Sequence, residues 1–319
     1  MLKFIKTWTL PISMLMGMSV YLFFAHVEAL NPAKPLIYSA IGYLTPSLIF
    51  AQLLLTFCKI SPRELLPSPW HGWLLLIQTV ATCGLAAALL LLPVSLEQQI
   101  VLEAAMVCFI CPTATAAAVI TGKLGGSASS LTTYTLLSNL LAAVTVPLLF
   151  PLVEPHADLS FFSAFLLILS KVFPLLLCPF FVACLLRYLL KPVHAWLLRY
   201  TGVAFYLWAV ALAIVTGQTV RSLCNSEAEP MVELWIALAG LITCVIQFFL
   251  GKRIGSAYDD RISAGQALGQ KNTVLAIWMA YTYLNPLSSV GPGSYVLWQN
   301  LFNSWQLWKR DSRLRRAER

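Results

Sequence analysis

Ten long apolar runs restrict this chain to one kind of fold. They lie near Trp8–Phe24, Leu36–Phe57, Trp70–Leu92, Ile100–Leu124, Leu131–Val153, Phe161–Leu190, Tyr200–Val220, Pro230–Leu250, Ile262–Leu284 and Tyr295–Trp308. A helix needs about 20 predominantly apolar residues to cross the hydrocarbon core of a bilayer. Within that core only helices and closed barrels satisfy every backbone polar group. Barrel strands alternate apolar and polar over roughly 10 residues, whereas these runs are continuous. Only 11% of the residues are charged and 59% are hydrophobic, against about 25% charged in a soluble domain. The chain lacks the polar surface to face water all round. The expected class is an all-α membrane protein with ten transmembrane helices. The first run, with Lys3 and Lys6 ahead of it, has the outline of a signal peptide, but nine further runs and no persuasive cleavage site predict a retained helix.

The basic residues test this layout. With the N-terminus in the cytoplasm, seventeen of the 21 Lys and Arg fall on cytoplasmic segments, six of them in the tail 309–319. The opposite loops hold only Lys34 and Arg221, and Lys171 and Lys271 fall inside spans. Translocating positive charge is unfavourable, so such segregation sets orientation. A miscounted helix would scramble it downstream. Both termini are therefore expected in the cytoplasm, with the chain in a bacterial inner membrane. The net charge of +8 is concentrated in that tail and suits anionic lipid; no nucleic-acid partner is expected.

Two of the runs are interrupted. The fourth contains Pro112, which removes a backbone donor and clashes with the preceding turn, followed by the small residues Thr113 to Ala118. An ordinary proline kink with close packing explains that segment by itself equally well. The ninth reads GQALGQKNTVLAIWMA over 265–280, with Gly265, Gly269, three amides (Gln266, Gln270, Asn272) and Lys271. Ten spans divide into two halves of five, and each half carries its interrupted segment fourth. An odd number of spans per half inverts one half relative to the other. Paired interruptions at matching positions of inverted halves point to a transporter's midplane binding site. The expected fold is thus two inverted five-helix repeats with discontinuous, crossing helices four and nine.

At these residues the chain resembles the bile acid:sodium symporter family. The resemblance is carried by CPTATAAAV (111–119), Gln78 within LLIQTVA, GQKNTVLA (269–276) and WQN (298–300), and it extends over essentially the whole chain. It implies a panel domain of 1–57 and 161–220 facing a core domain of 70–153 and 230–308 across a substrate cavity. Its members hold two sodium ions with side-chain oxygens. Here the family's glutamate position is Ala267, its serine–asparagine pair is Ala117 and Ala118, and its ninth-helix glutamine is Lys271. Gln78 and Asn272 remain, Gln270 lies beside them, and Thr135 or Ser138 supplies a hydroxyl from the fifth helix. Substrate contacts are expected from Thr113, Thr115, Gln266 and Asn300.

Sodium is best served by oxygen ligands, like its divalent relatives, and this set has lost a carboxylate and a side-chain carbonyl. An ammonium on a flexible stem can occupy the vacated place, so Lys271 reads as a built-in substitute for one sodium or as a proton-coupling group. Ionisable groups inside spans are functional candidates; a structural or snorkelling lysine is the alternative. The same choice holds for Lys171, which lines a cavity or snorkels. Glu103 and Glu233 are expected at the interface, as are Trp70, Trp73, Trp298, Trp305 and Trp308. His26, His71, His156 and His194 fall in end or loop regions, with nothing to mark them as ligands. The Cys108–Cys111 pair has no second partner motif and reads as buried hydrophobes.

The function expected is secondary active transport of a small organic anion by a monomer, through alternating access. A carrier or antiporter of the related auxin-efflux or cation–proton antiporter type, or a sodium-coupled symporter with a remodelled site, is the alternative. No cofactor is expected, and sodium enters only through such a remodelled site. No HExxH, GxSxG, P-loop or convergent carboxylate pair occurs in the spans, so no enzyme is expected. Rings of charges or carbonyls repeated by symmetry mark channels, and one chain does not supply them.

Overall fold

The structure, a computed structural model, describes residues 2–155 and 159–317. His156, and Glu318 and Arg319 of the tail, lie outside the described residues. Each of the ten apolar runs is helical over most of its length, and the fourth and ninth are broken at 111–116 and 270–272. In chain order the helices are α1 (Leu2–His26), α2 (Lys34–Cys58), α3 (Pro69–Leu91), α4 (Leu96–Ile110), α5 (Ala117–Leu124), α6 (Ala128–Val153), α7 (Phe161–Tyr188), α8 (Lys191–Arg199), α9 (Val203–Cys224), α10 (Pro230–Ser256), α11 (Arg261–Gly269), α12 (Thr273–Tyr283) and α13 (Val290–Ala317). No strand occurs among the described residues.

Local chemistry sets several of these boundaries. Proline occupies the first turn of α3 and of α10, where its missing N–H costs nothing. At α4, Ser95 and Gln98 cap each other, the Gln98 N–H reaching Ser95 Oγ at 3.3 Å and the Ser95 N–H reaching Gln98 Oε1 at 3.1 Å. That reciprocal arrangement satisfies two donors otherwise left open at a helix start. Gly125 ends α5 with a left-handed φ of 85°, which a side chain would strain.

Among the described residues six helices are long and apolar enough to cross a membrane by length and composition, and a shorter apolar helix covers Pro11–His26. The fourth and ninth runs divide into the pairs α4/α5 and α11/α12, each piece too short to cross alone. Helix α1 packs on α9, and α2 packs on both α7 and α9. A second group is organised around α10, which packs on α11, α13 and α4, with α3 against α4 and α6.

Two expectations, those for Trp70 and Glu103, are corrected. Trp70 is buried against Tyr134, with ring centroids 5.9 Å apart, whereas Trp73, Trp305 and Trp308 are exposed as a belt requires. The tail is helical through Ala317, because α13 runs on without a break, and Arg310 donates to the Lys123 carbonyl at the end of α5. Glu103 is fully buried rather than interfacial. It accepts from Gln99 Nε2 at 2.9 Å and from the Asn285 N–H at 3.2 Å.

The histidines are placed by their own hydrogen bonds. His71 is in the first turn of α3, where Nδ1 accepts from the Ser68 N–H at 2.9 Å. His194, in α8, donates to the Cys58 carbonyl at 3.0 Å, and His26 to the Leu22 carbonyl at 2.8 Å.

Candidate functional site

The two interruptions pair with each other. The Ala114 N–H donates to the Gln270 carbonyl and the Asn272 N–H to the Pro112 carbonyl, each at 2.9 Å, forming an antiparallel bridge between Thr113 and Lys271. Two extended stretches thus cross inside a helical bundle and satisfy one another's backbone. Non-helical backbone at membrane depth is tolerated only where protein or water covers it in this way.

Pro112 creates the need that the rest of the site meets. In an unbroken helix its N–H would bond the Cys108 carbonyl, but proline has none. Gln247 of α10 supplies the missing donor, Nε2 reaching Cys108 O at 3.1 Å. The next carbonyl, Phe109 O, accepts from Lys271 Nζ at 3.1 Å. Gln78 of α3 serves the last two, donating to Ile110 O at 2.9 Å and Cys111 O at 3.3 Å. Side chains from three different segments therefore cap the C-terminus of α4. The ammonium, on a residue only 1% exposed, lies at the negative end of that helix, where a cation is favoured.

Tyrosines hold the two amides in place. Tyr134 donates to Gln78 Oε1 at 3.2 Å, and Gln247 Nε2 donates to Tyr295 Oη at 3.2 Å. Tyr295 in turn donates to the Gly269 carbonyl at 2.8 Å, covering the end of α11. Gln299 clasps the backbone of Lys271 on both sides, accepting from its N–H at 2.9 Å and donating to its carbonyl at 3.3 Å.

The expected residues fall in several places. Lys271, Gln78 and Ser138 meet at the crossing, where Ser138 Oγ accepts from the Thr113 N–H at 3.2 Å. Thr113 Oγ1 donates to the Ala267 carbonyl at 2.6 Å. Asn272 is committed to capping α12, its Oδ1 accepting from the Leu275 N–H at 3.4 Å. Thr135 bonds its own helix at Leu131 O, and Asn300 likewise at Val296 O. Gln266 donates to Asn303 at 3.1 Å, and Thr115 accepts from Gln52 of α2 at 3.3 Å. Gln270 is buried with Oε1 unpartnered among the described residues. Ala117 and Ala267 are fully buried and supply no side-chain oxygen.

The partners Tyr134, Gln247, Tyr295 and Gln299 were not singled out from the sequence. A lone amide inside an apolar run, as in VIQFFLG around Gln247, is the signal that marks such positions. Cys108 and Cys111 form no disulfide with each other, and Cys111 Sγ donates to the Asn272 carbonyl at 3.0 Å. Gln247→Leu is expected to cost about 1–3 kcal/mol, the penalty for orphaning a buried acceptor. Thermal unfolding in detergent measures it, and a change below about 0.5 kcal/mol, typical of an inert surface substitution, would contradict the capping role.

A large cavity of about 1240 Å³ is lined by α1, α2, α7, α9 and the outer half of α12, the helix that follows the crossing. Its lining carries Lys34, Lys171 and Arg221 and no carboxylate among the described residues. Of the four residues expected to meet substrate, Thr113, Thr115, Gln266 and Asn300, none belongs to this lining. No group of three or more His, Cys, Asp or Glu suited to a metal ion occurs among the described residues.

A helical bundle of membrane-crossing length, with two interrupted helices paired across a buried ammonium and a wide cavity alongside, has the form of a membrane carrier. The family model described as the SBF-like CPA transporter family matches residues 13–308, and the chain belongs to that family. It is bile acid:sodium symporter-related, which agrees with the motif resemblance at that coarser level. The protein is an integral, multi-pass membrane transporter and not an enzyme. The chain is also similar to the uncharacterized sodium-dependent transporter YocS of Bacillus subtilis (strain 168), at 26% identity over 246 residues, 76% of this chain and 74% of that protein.

Proposed function

We propose that this protein is a secondary active transporter of an organic anion in which the Lys271 ammonium stands in the place of a bound sodium ion. The observation that carries this reading is the ammonium itself, buried to 1% exposure and bonded to the Phe109 carbonyl at the interrupted end of α4. A cation there balances a helix terminus permanently, so the site needs no second cation from solution.

The reading includes ten spans in two inverted repeats, with α1, α2, α7 and α9 as panel and the remaining spans as core. Two features support the inversion. The Gln78–Tyr134 pair joins the third and fifth spans, and the Gln247–Tyr295 pair joins the eighth and tenth. With both termini in the cytoplasm of a bacterium, the cavity faces outward, since it is lined by the outer portions of α1, α2 and α9. On the inner side the Gln52–Thr115 bond joins α2 to the stretch before α5, which supports a path closed toward the cytoplasm. Alternating access then exchanges one opening for the other, with a single chain as the working unit.

Sodium-coupled symport through a remodelled site is the second reading. It is favoured by the printed name of the Bacillus subtilis relative and by buried carbonyl oxygens of Gln247, Gln266 and Gln270 that lack partners among the described residues. Purified protein in liposomes separates the two. After a screen for an anion that raises its melting temperature, uptake of that anion is measured with and without a sodium gradient at fixed pH. The expected result is a rate unchanged by sodium. Uptake that requires the sodium gradient would select the symporter.

A further inference from the structure

The unspent donors of the cavity specify its cargo further than the organic-anion reading on which this inference rests. Lys34 is already committed, its Nζ donating to the Ala25 carbonyl at 3.3 Å across the α1–α2 turn. Arg221 is fixed but largely unused. Its guanidinium lies 3.9 Å over the Tyr38 ring and donates one bond, at 3.4 Å, to Tyr281 Oη. An arginine has five N–H donors in a planar fork matched to carboxylate or sulfonate, so most of the fork has no partner among the described residues. Lys171, exposed in the cavity wall, has no hydrogen-bond or ion-pair partner among the described residues.

These two cations differ in depth. Arg221 is in the last turn of α9, which ends at Cys224, whereas Lys171 is ten residues into α7, which begins at Phe161. Counted at 1.5 Å per residue, Lys171 stands about 15 Å along α7 from its start and Arg221 about 5 Å from the end of α9. Aromatic and aliphatic side chains such as Tyr21, Phe50, Leu175 and Trp278 fill the wall. Glu97 and Glu227 line only a smaller neighbouring recess of about 590 Å³ that Arg221 also borders. The volume exceeds the roughly 300–1,000 Å³ of ordinary ligand pockets.

We propose that the cavity accepts an elongated amphipathic dianion, one acidic group held by the Arg221 fork near the mouth and the other by Lys171 at depth, with an apolar body between them. A single negative charge would leave one of the two cations uncompensated inside a largely apolar wall, which is costly.

Binding to the full-length protein in detergent tests this without reference to coupling. The probes are a biphenyl disulfonate substituted at both para positions and the matched biphenyl monosulfonate, compared by equilibrium dialysis. The wild type is expected to bind the disulfonate more tightly by about tenfold or more, the equivalent of one charge-assisted hydrogen bond. Lys171→Met is expected to bring the two affinities within about threefold of each other, and Lys171→Arg to keep the preference. Equal affinities in the wild type, or a preference that survives Lys171→Met, overturn the dianion inference and leave the organic-anion reading intact. If neither sulfonate binds, the cavity is not an anion site and both fail.

Discussion

Lys271→Met should reduce uptake by about a hundredfold or more while leaving a folded protein that can be purified. Methionine matches the lysine stem in length and is at home in an apolar interior. What it removes is the donor to Phe109 O and the positive charge at the negative end of α4. A hydrogen bond from a charged donor contributes about 1.5–3 kcal/mol, and orphaning a buried acceptor costs a similar amount. At 1.4 kcal/mol per tenfold change, the loss reaches about two orders of magnitude if it falls on the conformational exchange. The sodium-replacement idea makes a sharper demand of a double variant. Lys271→Gln with Ala267→Glu restores the amide and the carboxylate that the symporter resemblance places at those positions. Sodium is expected to raise the melting temperature of that variant by several degrees, by the linkage that stabilises any state that binds a ligand, and to leave the wild type unmoved. Full uptake by Lys271→Met would sink the proposal, as would a wild type that sodium stabilises as much as it does the double variant.

Gly251→Leu is the second large effect expected, and it acts on folding rather than on coupling. A Cβ at Gly251 would stand 2.5 Å from the Ala264 carbonyl oxygen and 3.0 Å from Gly265 Cα, and one at Gly255 would stand 2.6 Å from the Asp260 carbonyl oxygen. The two glycines, four residues apart on α10, let the backbone of α11 lie directly on them, the small-residue contact by which helices pack in lipid. Because the obstacles are backbone atoms, no rotamer change relieves them. Overpacking costs typically 1–3 kcal/mol, and more where the backbone must move. At about 2 °C per kcal/mol for a chain of this size, a drop of about 5 °C or more in melting temperature is expected. Displacing α11 also moves Gly269 to Lys271, so uptake should fall with stability. Gly84→Ala is the control, since a Cβ there meets nothing within 4 Å. Equal melting temperatures for the two variants would refute the close α10–α11 contact.

Much of this architecture was legible in the residues themselves. Hydropathy and the distribution of Lys and Arg marked the helical segments, because lipid admits few alternatives for a long apolar run. Pro112 and Gly269 marked the interruptions, whereas Gly265 lies within α11, and Lys271 stood out as a charge inside a span. The errors share one cause. Glu103 was read as interfacial from its nearness to a helix end, but its burial depends on Gln99 and the Asn285 N–H, the second from a residue 182 positions away. Gln299 drew no notice within the WQN stretch, yet the rotation of α13 turns it toward Lys271. The GxxxG pattern at Gly251 and Gly255 was visible and passed over.

What the sequence by itself determined is the class of fold and the presence of a misplaced charge, since both follow from transfer free energies that a residue carries wherever it sits. Only the tertiary structure decided what that charge does. The four open carbonyls from Cys108 to Cys111 have to find donors, and nothing local says which. Lys271, Gln78 and Gln247 reach them only because two broken helices cross at one point, and a hydrogen bond is set by distance and angle rather than by composition.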